Sequence, residues 1–441
     1  MFAEDFIDGL TPLLAAAPLQ DVHFCSLGLG ASAAAARLLS RSSTLRSLSL
    51  YSYMGFSADA GSALGSLLRS STCQLAHLEL GAPDRTPNFW RGDDCVTSIA
   101  AALQHNNTLV FLSLGQVKLG PDASAALADA VARSTTLRVL DLRSFSLDLA
   151  RLFVGVRGSR LEELRMHTDY GDQSWRAAGA ELSKALSDER TALLKLSIEQ
   201  CPMHLMSVVK GLGRNESLRK LKLASFPMHR CTDAATGAIC KALVFRNASL
   251  EKLELCDVYG ARDRTSTATA QSLVTAFCSG RLTALKELSV RRYHFGDDLT
   301  CQLAVAISEH APQLETLWLD DCGFGTRGAV ALARMLTSHA SLLFLSVDDN
   351  SIGYDGACAL ADAWPINGTL ARLSVQRCKI GSAGVEALFD ADVKCPLASL
   401  DVDQNEGTSL EWESSSGSES SSDSGMDFDD GSDVPLWSDS E

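Results

Sequence analysis

The chain has 441 residues, and a single globular core of that size would be unusual. Its formal net charge is −15 at pH 7, no stretch is long and apolar enough to cross a bilayer, and we predict neither a nucleic acid nor a membrane as its partner. The thirteen cysteines lack close Cys-x-x-Cys spacing, which predicts free thiols, a reducing compartment and a cytoplasmic location that can extend to the nucleus. The first element, residues 1–18, has no basic leader and is predicted to be an N-terminal cap.

From residue 19 to residue 405 one motif recurs, Leu-x-x-Leu-x-(Leu/Ile/Met/Val), after a degraded first unit at Leu19-Val22-Phe24. Thirteen copies follow one another at intervals of 24 to 35 residues. They begin at Leu45, Leu75, Leu109, Leu137, Leu161, Leu193, Leu218, Leu250, Leu285, Leu314, Leu342, Leu370 and Leu397. This spacing predicts about 14 structural repeats.

Each repeat contains a strand pattern and a helix pattern. The Leu-x-Leu core alternates with period two, which predicts a strand with one apolar face, and Ala-, Leu- and Gly-rich stretches with helical spacing lie between the cores. One strand and one helix cannot bury their own leucines, but a stack of such units can. We therefore predict an α/β solenoid in the form of a horseshoe, with a parallel sheet on the concave face and helices on the convex face.

Repeats of 28 to 29 residues that carry a full helix resemble the ribonuclease-inhibitor-like class of leucine-rich repeats (LRR). Residues 352–361 are similar to the Ile-Gly-x-x-Gly-Ala-x-x-Leu-Ala stretch of that class. Similar units occur in intracellular immune receptors, in Ran GTPase-activating proteins and in bacterial effectors. The resemblance implies the fold specifically, whereas the function is left open.

The residue eight positions after the first leucine, here called the eighth motif position, is often Asn or Cys in this class. Here it is Asn or Cys in several repeats, but Tyr53, Phe145, Phe226 and Tyr293 in others, where we expect hydrophobic stacking instead of a hydrogen-bond ladder. Four Asn-x-Ser/Thr triplets, which start at residues 106, 215, 247 and 367, each fall one residue before the first leucine of a motif. They are interpreted as helix-to-strand turns.

Two intervals are too long for one repeat. The surplus is predicted to lie in residues 81–95 and 257–267, as exposed loops that carry arginines. If the chain resembles a Ran GTPase-activating protein in function, Arg85 or Arg91 in the first insertion would contact the GTPase. Leu114-Gly115-Gln116-Val117 departs from the Asn-bearing loop of that family.

The residues that flank the strand leucines are predicted to line the concave face. Its middle is predicted to be a basic patch, formed by Arg165, Arg219, Lys220, Lys222, Arg291 and Arg292. Its C-terminal end is predicted to be acidic and aromatic. The acidic patch comprises Glu315, Trp318, Asp320, Asp321, Phe344, Asp348, Asp349, Asp401 and Asp403. Carboxylates at equivalent positions of adjacent strands repel one another, which favours a docking site for a basic partner segment with Trp318 and Phe344 as apolar anchors.

Residues 406–441 contain eleven acidic residues and no Lys or Arg, so about −4 of the net charge belongs to the repeats. This Ser/Asp-rich composition predicts a disordered tail. Ser416, Ser420 and Ser424 have the spacing of acidophilic kinase sites. The tail is predicted to compete with acidic ligands of the repeats.

The sequence contains no catalytic constellation, metal-ligand set or cofactor motif. We therefore predict a monomeric, non-enzymatic scaffold that docks another protein on its concave face. The alternatives are a Ran GTPase-activating-protein-like activator, an effector or immune-type recognition module, and an inhibitor of a basic protein.

Overall fold

The computed structural model describes residues 19–39, 42–82, 90–145, 147–169, 175–199, 205–224, 232–256 and 267–405. The predicted N-terminal cap and the acidic tail lie outside the described residues. Within the described ranges the chain alternates between strands and helices, as the repeat pattern predicts. No helix among them has the length and apolar character that a bilayer crossing requires.

The strands form one parallel sheet whose order follows the sequence, except that β4 pairs with β5 beside the main path. They are β1 Asp21–Leu27, β2 Ser47–Ser52, β3 His77–Gly81, β4 Trp90–Arg91, β5 Phe111–Lys118, β6 Val139–Phe145, β7 Glu163–Asp169, β8 Lys195–Glu199, β9 Lys220–Ala224, β10 Lys252–Cys256, β11 Glu287–Arg291, β12 Thr316–Trp318, β13 Phe344–Ser346, β14 Arg372–Ser374 and β15 Ser399–Asp401.

The helices connect successive strands, and each packs against its sequence neighbours. They are α1 Leu29–Leu39, α2 Ala58–Arg69, α3 Asp93–Leu103, α4 Pro121–Arg133, α5 Leu149–Val156, α6 Trp175–Ser187, α7 Leu205–Leu212, α8 Thr232–Arg246, α9 Ala268–Cys278, α10 Gly296–His310, α11 Thr326–Ser338, α12 Gly353–Asn367 and α13 Gly381–Lys394.

The motif leucines set the register of the sheet. Leu317 pairs with Leu288 on one side and with Leu345 on the other, and all three are fully buried. Equivalent leucines pair along the other neighbouring strands, so the side chains form continuous apolar rows between the sheet and the helices. The predicted α/β leucine-rich repeat solenoid is confirmed.

Helices approach each other closely at a few glycines. A Cβ atom on Gly155 of α5 would lie 2.3 Å from the carbonyl oxygen of Ala128 in α4. Gly155 therefore sets the distance between these two helices.

Asparagine and cysteine at the eighth motif position form a hydrogen-bond ladder that connects successive repeats just after their strands. The Asn350 amide donates to the carbonyls of Leu319 (2.7 Å) and Val347 (2.8 Å), and its oxygen accepts from the Cys322 amide (3.0 Å). Asn405 repeats the pattern with the Cys378 amide. Burial raises the pKa of the Cys378 thiol to about 12, which keeps that thiol protonated.

Aromatic residues at that position behave differently from one another. Tyr293 is buried, as we expected from hydrophobic stacking. Tyr53 is 49% exposed, so the same expectation is wrong there. The side chains of Phe145 and Phe226 lie outside the described residues.

The four Asn-x-Ser/Thr triplets lie in helix-to-strand turns, as predicted. The Asn106 amide donates to the Leu68 carbonyl (2.8 Å), and its oxygen accepts from the Leu109 amide (2.7 Å). Asn367 makes the equivalent bonds to the Leu336 carbonyl and the Leu370 amide. These side chains cap the helix end and the strand start at once.

The first long insertion returns to the sheet through Trp90. Its ring packs edge-on against Phe56 with centroids 5.0 Å apart, and its indole nitrogen donates to the Gly115 carbonyl (2.9 Å). Arg91 is exposed beside Trp90, as predicted. Arg85 and residues 257–266 of the second insertion lie outside the described residues.

Strands β11 to β15 end in the same backbone turn. In each, the residue just before the eighth motif position has a positive φ, from 50° to 64°. These residues are Arg292, Asp321, Asp349, Arg377 and Gln404. Their conformation is one that non-glycine residues adopt only where surrounding structure requires it.

Candidate protein-docking site

Side chains that alternate with the buried leucines lie on the opposite face of the sheet, here called the open face. Ser289, Trp318 and Ser346 occupy one row of this face, on adjacent strands in register. The open face corresponds to the predicted concave face. Its serines at this row, Ser289 and Ser346, are buried, whereas its longer side chains, such as Trp318, are partly exposed and form the surface that the repeats present to a partner.

Two aromatic rings and two arginines form a cluster across β11 to β14, here called the aromatic cluster. The rings of Trp318 and Phe344 have centroids 4.9 Å apart. The Arg291 guanidinium lies 5.6 Å from the Trp318 ring, and the Arg372 guanidinium lies 5.0 Å from the Phe344 ring. Cation–π attraction at both ends favours this arrangement of the two rings.

Asp320 lies beside this cluster and is largely buried. The Ser346 hydroxyl donates to Asp320 Oδ1 (2.6 Å), and Arg291 Nε is 3.4 Å from Oδ2. Burial raises the pKa of the Asp320 carboxyl to about 6, and the charge of nearby Asp348 adds to this effect.

The next two carboxylates are held by neighbours on the following repeat. Asp348 Oδ1 accepts hydrogen bonds from the Ser374 hydroxyl (2.7 Å) and from the backbone amide of Gln376 (2.8 Å). Burial raises the pKa of the Asp348 carboxyl. Asp349 forms a two-pronged ion pair with Arg377, at 2.5 and 2.7 Å, which lowers its pKa. Hydroxyl groups and Arg377 thus offset the repulsion between stacked carboxylates.

The remaining members of the predicted acidic patch surround this centre. Asp401 accepts from the Gln376 side-chain amide, and Asp403 is exposed. The backbone amide of Asp321 donates to the Asp348 carbonyl (2.8 Å). Glu315 lies just before β12 and is partly exposed.

The predicted basic patch carries carboxylates between its cations. Arg165 bonds to Glu163 (2.6 Å), and Lys222 lies between Glu199 (2.9 Å) and Glu254 (3.3 Å). The middle of the open face is therefore a surface of alternating charge.

The other predicted cations of this region occupy distinct places. Arg219 pairs with Glu251 at 3.2 Å. Lys220 is in register with Lys195 and Lys252, and Arg292 is exposed at the end of β11. The predicted phosphorylation sites Ser416, Ser420 and Ser424 lie outside the described residues.

Sequence reasoning missed the serines that support the site. Leu-Ser-Val recurs at residues 288–290, 345–347 and 373–375, and the repeat of Ser at one motif position is a signal that could have found them. Ser289 is buried, and its hydroxyl has no hydrogen-bond partner among the described residues. This buried hydroxyl lies in register with Trp318, beneath the surface that a partner would contact.

Comparisons with known proteins agree with the repeat pattern. A family model described as "Leucine Rich repeat" matches residues 367–389. The chain is 30% identical to the ribonuclease inhibitor of Sus scrofa over 192 residues, which is 41% of this chain and 38% of that protein. It is 25% identical to the ribonuclease inhibitor of Mus musculus over 273 residues, which is 58% of this chain and 57% of that protein. The matches thus span 38% and 57% of the length of these relatives.

Solved structures with a similar course include the Rad7–Elc1 complex of yeast, with a TM-score of 0.43, 15% identity and coverage of 79% of this chain and 75% of that one. An internalin of Listeria monocytogenes has a TM-score of 0.43 and 14% identity, with coverage of 92% of this chain and 91% of that one. The repeat motif and the parallel sheet show a leucine-rich repeat solenoid, and its repeats are similar to those of the ribonuclease inhibitors.

Proposed function

We propose that this chain is a non-enzymatic scaffold that docks a partner protein on the open face, with the aromatic cluster as its anchor. The observation that carries the proposal is the contact between Trp318 and Phe344, held between Arg291 and Arg372. Partly exposed aromatic side chains with a fixed orientation lose little entropy on binding, which is why such residues dominate the energetics of protein interfaces.

The partner segment is proposed to be basic. Both hydrogen bonds to Asp348 use Oδ1, which leaves Oδ2 for an incoming cation. Asp403 is exposed on the same side of the sheet. A lysine or arginine that pairs with these oxygens would also neutralise their mutual repulsion.

The proposal is tested by affinity purification with the wild-type chain and the Trp318→Ala and Phe344→Ala variants. We expect each variant to lose the same set of partners. The affinity for a purified partner should fall by about tenfold or more. Val305→Ala, on the exposed surface of α10, is the matched control. If both aromatic variants retain every partner while circular dichroism shows an intact fold, the proposal fails.

A second candidate function is inhibition of a ribonuclease, favoured by the similarity to the inhibitors of Sus scrofa and Mus musculus. We expect the purified chain to slow RNA hydrolysis by ribonuclease A when the two are mixed in equal amounts. Trp318→Ala would then reduce the inhibition. Unchanged hydrolysis over a wide range of chain concentrations would reject this candidate and leave the scaffold proposal standing.

A further inference from the structure

A second aromatic surface lies near the N-terminal end of the open face, separated from the aromatic cluster by β6 to β10. The rings of His77 and Phe111 are stacked, with centroids 3.9 Å apart and an interplanar angle of 4°. On the preceding strands, the rings of His23 and Tyr51 lie 5.1 Å apart. The Tyr51 ring contacts Gly81, where a Cβ atom would lie 3.4 Å from it. Tyr51 thus lies flat along the sheet.

Glu79 lies among these rings. It follows His77 by two residues on β3, so both side chains face the same side of the sheet, and it is in register with Ser49 and Ser113. Its carboxylate accepts from the Ser49 hydroxyl at 3.2 Å.

Glu79 differs from the paired carboxylates of β7, β8 and β11, because it has no cation partner among the described residues. Glu163 is 2.9 Å from Lys195, Glu199 is 2.9 Å from Lys222, and Glu287 is 2.6 Å from Lys252. The pattern of the sheet therefore supplies a cation to each of those carboxylates and leaves Glu79 without one.

His77 does not supply the missing charge. Burial lowers the pKa of its imidazole, so the ring is neutral at neutral pH. Asp141, two strands away on β6, is near enough for its charge and that of Glu79 to repel each other. The local surface therefore combines an unbalanced negative charge with flat aromatic faces.

We propose that Tyr51, His77, Glu79 and Phe111 bind an arginine side chain of a partner protein. The Glu79 carboxylate would accept hydrogen bonds from the guanidinium, while the rings would provide a face on which its plane can stack. This inference rests on the proposed function in so far as a protein docks on the open face, but it uses different strands. It assigns a second anchoring point, specific for one kind of side chain.

The test uses the full chain and a hexa-arginine peptide that carries a photoreactive benzophenone group, with a hexa-citrulline peptide as the uncharged counterpart. The tail carries eleven acidic residues and would attract any cationic peptide, so affinity alone does not locate the site. Cross-linked residues are therefore mapped by mass spectrometry. We expect cross-links to β3 and β5 with hexa-arginine, and none there with hexa-citrulline.

Two variants and one control separate the specific contact from general attraction. Glu79→Gln and Phe111→Leu should each lower cross-linking to β3 and β5 by about tenfold. Glu254→Gln, which removes a carboxylate already close to Lys222, should leave it unchanged. Cross-links confined to other segments, or equal losses in Glu79→Gln and Glu254→Gln, would overturn the inference. Cross-links at β12 and β13 alone would overturn it while supporting the docking site of the proposed function.

Discussion

Asn350 shows how one buried side chain can join several backbone segments. It is 1% exposed, and its amide and oxygen bond to backbone groups of the preceding repeat and of its own. Because the site is buried, removal of the Asn350 side chain would leave three backbone groups without a hydrogen-bond partner. These groups are the Leu319 carbonyl, the Val347 carbonyl and the Cys322 amide. Individual polar residues therefore contribute to the stability of this core alongside the leucines.

Asn350→Ala should lower the free energy of unfolding by about 2–4 kcal/mol, because it leaves buried donors and acceptors without partners. Urea denaturation followed by circular dichroism measures the change. Asn107→Ala, at an exposed asparagine between α3 and β5, should change the same quantity by less than about 0.5 kcal/mol. Equal effects in the two variants would contradict the role assigned to the ladder.

Asp320 gives the stability a dependence on pH. Its folded pKa is about 6, against 3.8 for an ordinary aspartate, so the folded chain retains this proton between about pH 4 and pH 6. The stabilisation from protonation is fully present below pH 4 and is lost as the pH rises through 6.

Asp320→Asn cannot ionise at this position. Between pH 4 and pH 7 its free energy of unfolding should therefore fall by roughly 2 kcal/mol less than that of the wild type. Urea denaturation at a series of pH values provides the measurement. Parallel curves for the two proteins would show that Asp320 ionises normally in the folded chain.

At the scale of elements, helix packing depends on small residues whose importance the sequence conceals. Alanine is a better helix former than glycine by about 1 kcal/mol, so propensity alone predicts that Gly155→Ala stabilises α5. The 2.3 Å approach to the Ala128 carbonyl predicts the opposite sign, because backbone atoms of α4 would have to move.

We expect Gly155→Ala to lower the free energy of unfolding by about 1–3 kcal/mol, and to lower the midpoint of thermal unfolding accordingly. The adjacent Val154 is 54% exposed, and Val154→Ala should be nearly neutral. A more stable Gly155→Ala variant would mean that α4 and α5 are not held at this distance.

Much of the element pattern could be predicted from the sequence, because motif leucines and turn asparagines act within one repeat or between neighbours. Leu317 and Asn106 are examples whose positions follow from local spacing. Contacts such as Arg372 over Phe344 depend on which side chains face each other across strands. Trp90 was missed for a similar reason, since its partners Phe56 and Gly115 belong to other repeats.

At the scale of the whole molecule, charge is unevenly distributed. Eleven of the negative charges belong to residues 406–441, and the repeats hold the remaining excess of about four. If the tail competes with acidic ligands, a chain truncated after Gly407 should bind a hexa-glutamate peptide more tightly, as measured by calorimetry at low and physiological salt. Identical affinities for full-length and truncated chains would dismiss this regulatory role.

The five positive-φ residues at the ends of β11 to β15 are sites at which a substitution can lower the conformational cost of the backbone. Asparagine at Gln404 would relax the backbone and would remove only an exposed hydrogen bond, from Arg377 Nη1 to the Gln404 side-chain oxygen (3.2 Å), so it should give a more stable variant. At Asp349 the same change would also remove the ion pair to Arg377, so its outcome would be mixed. Asp321 and Asp349 are residues that this conformation favours, whereas Arg292, Arg377 and Gln404 occupy it at a conformational cost that contacts with the neighbouring repeats must offset.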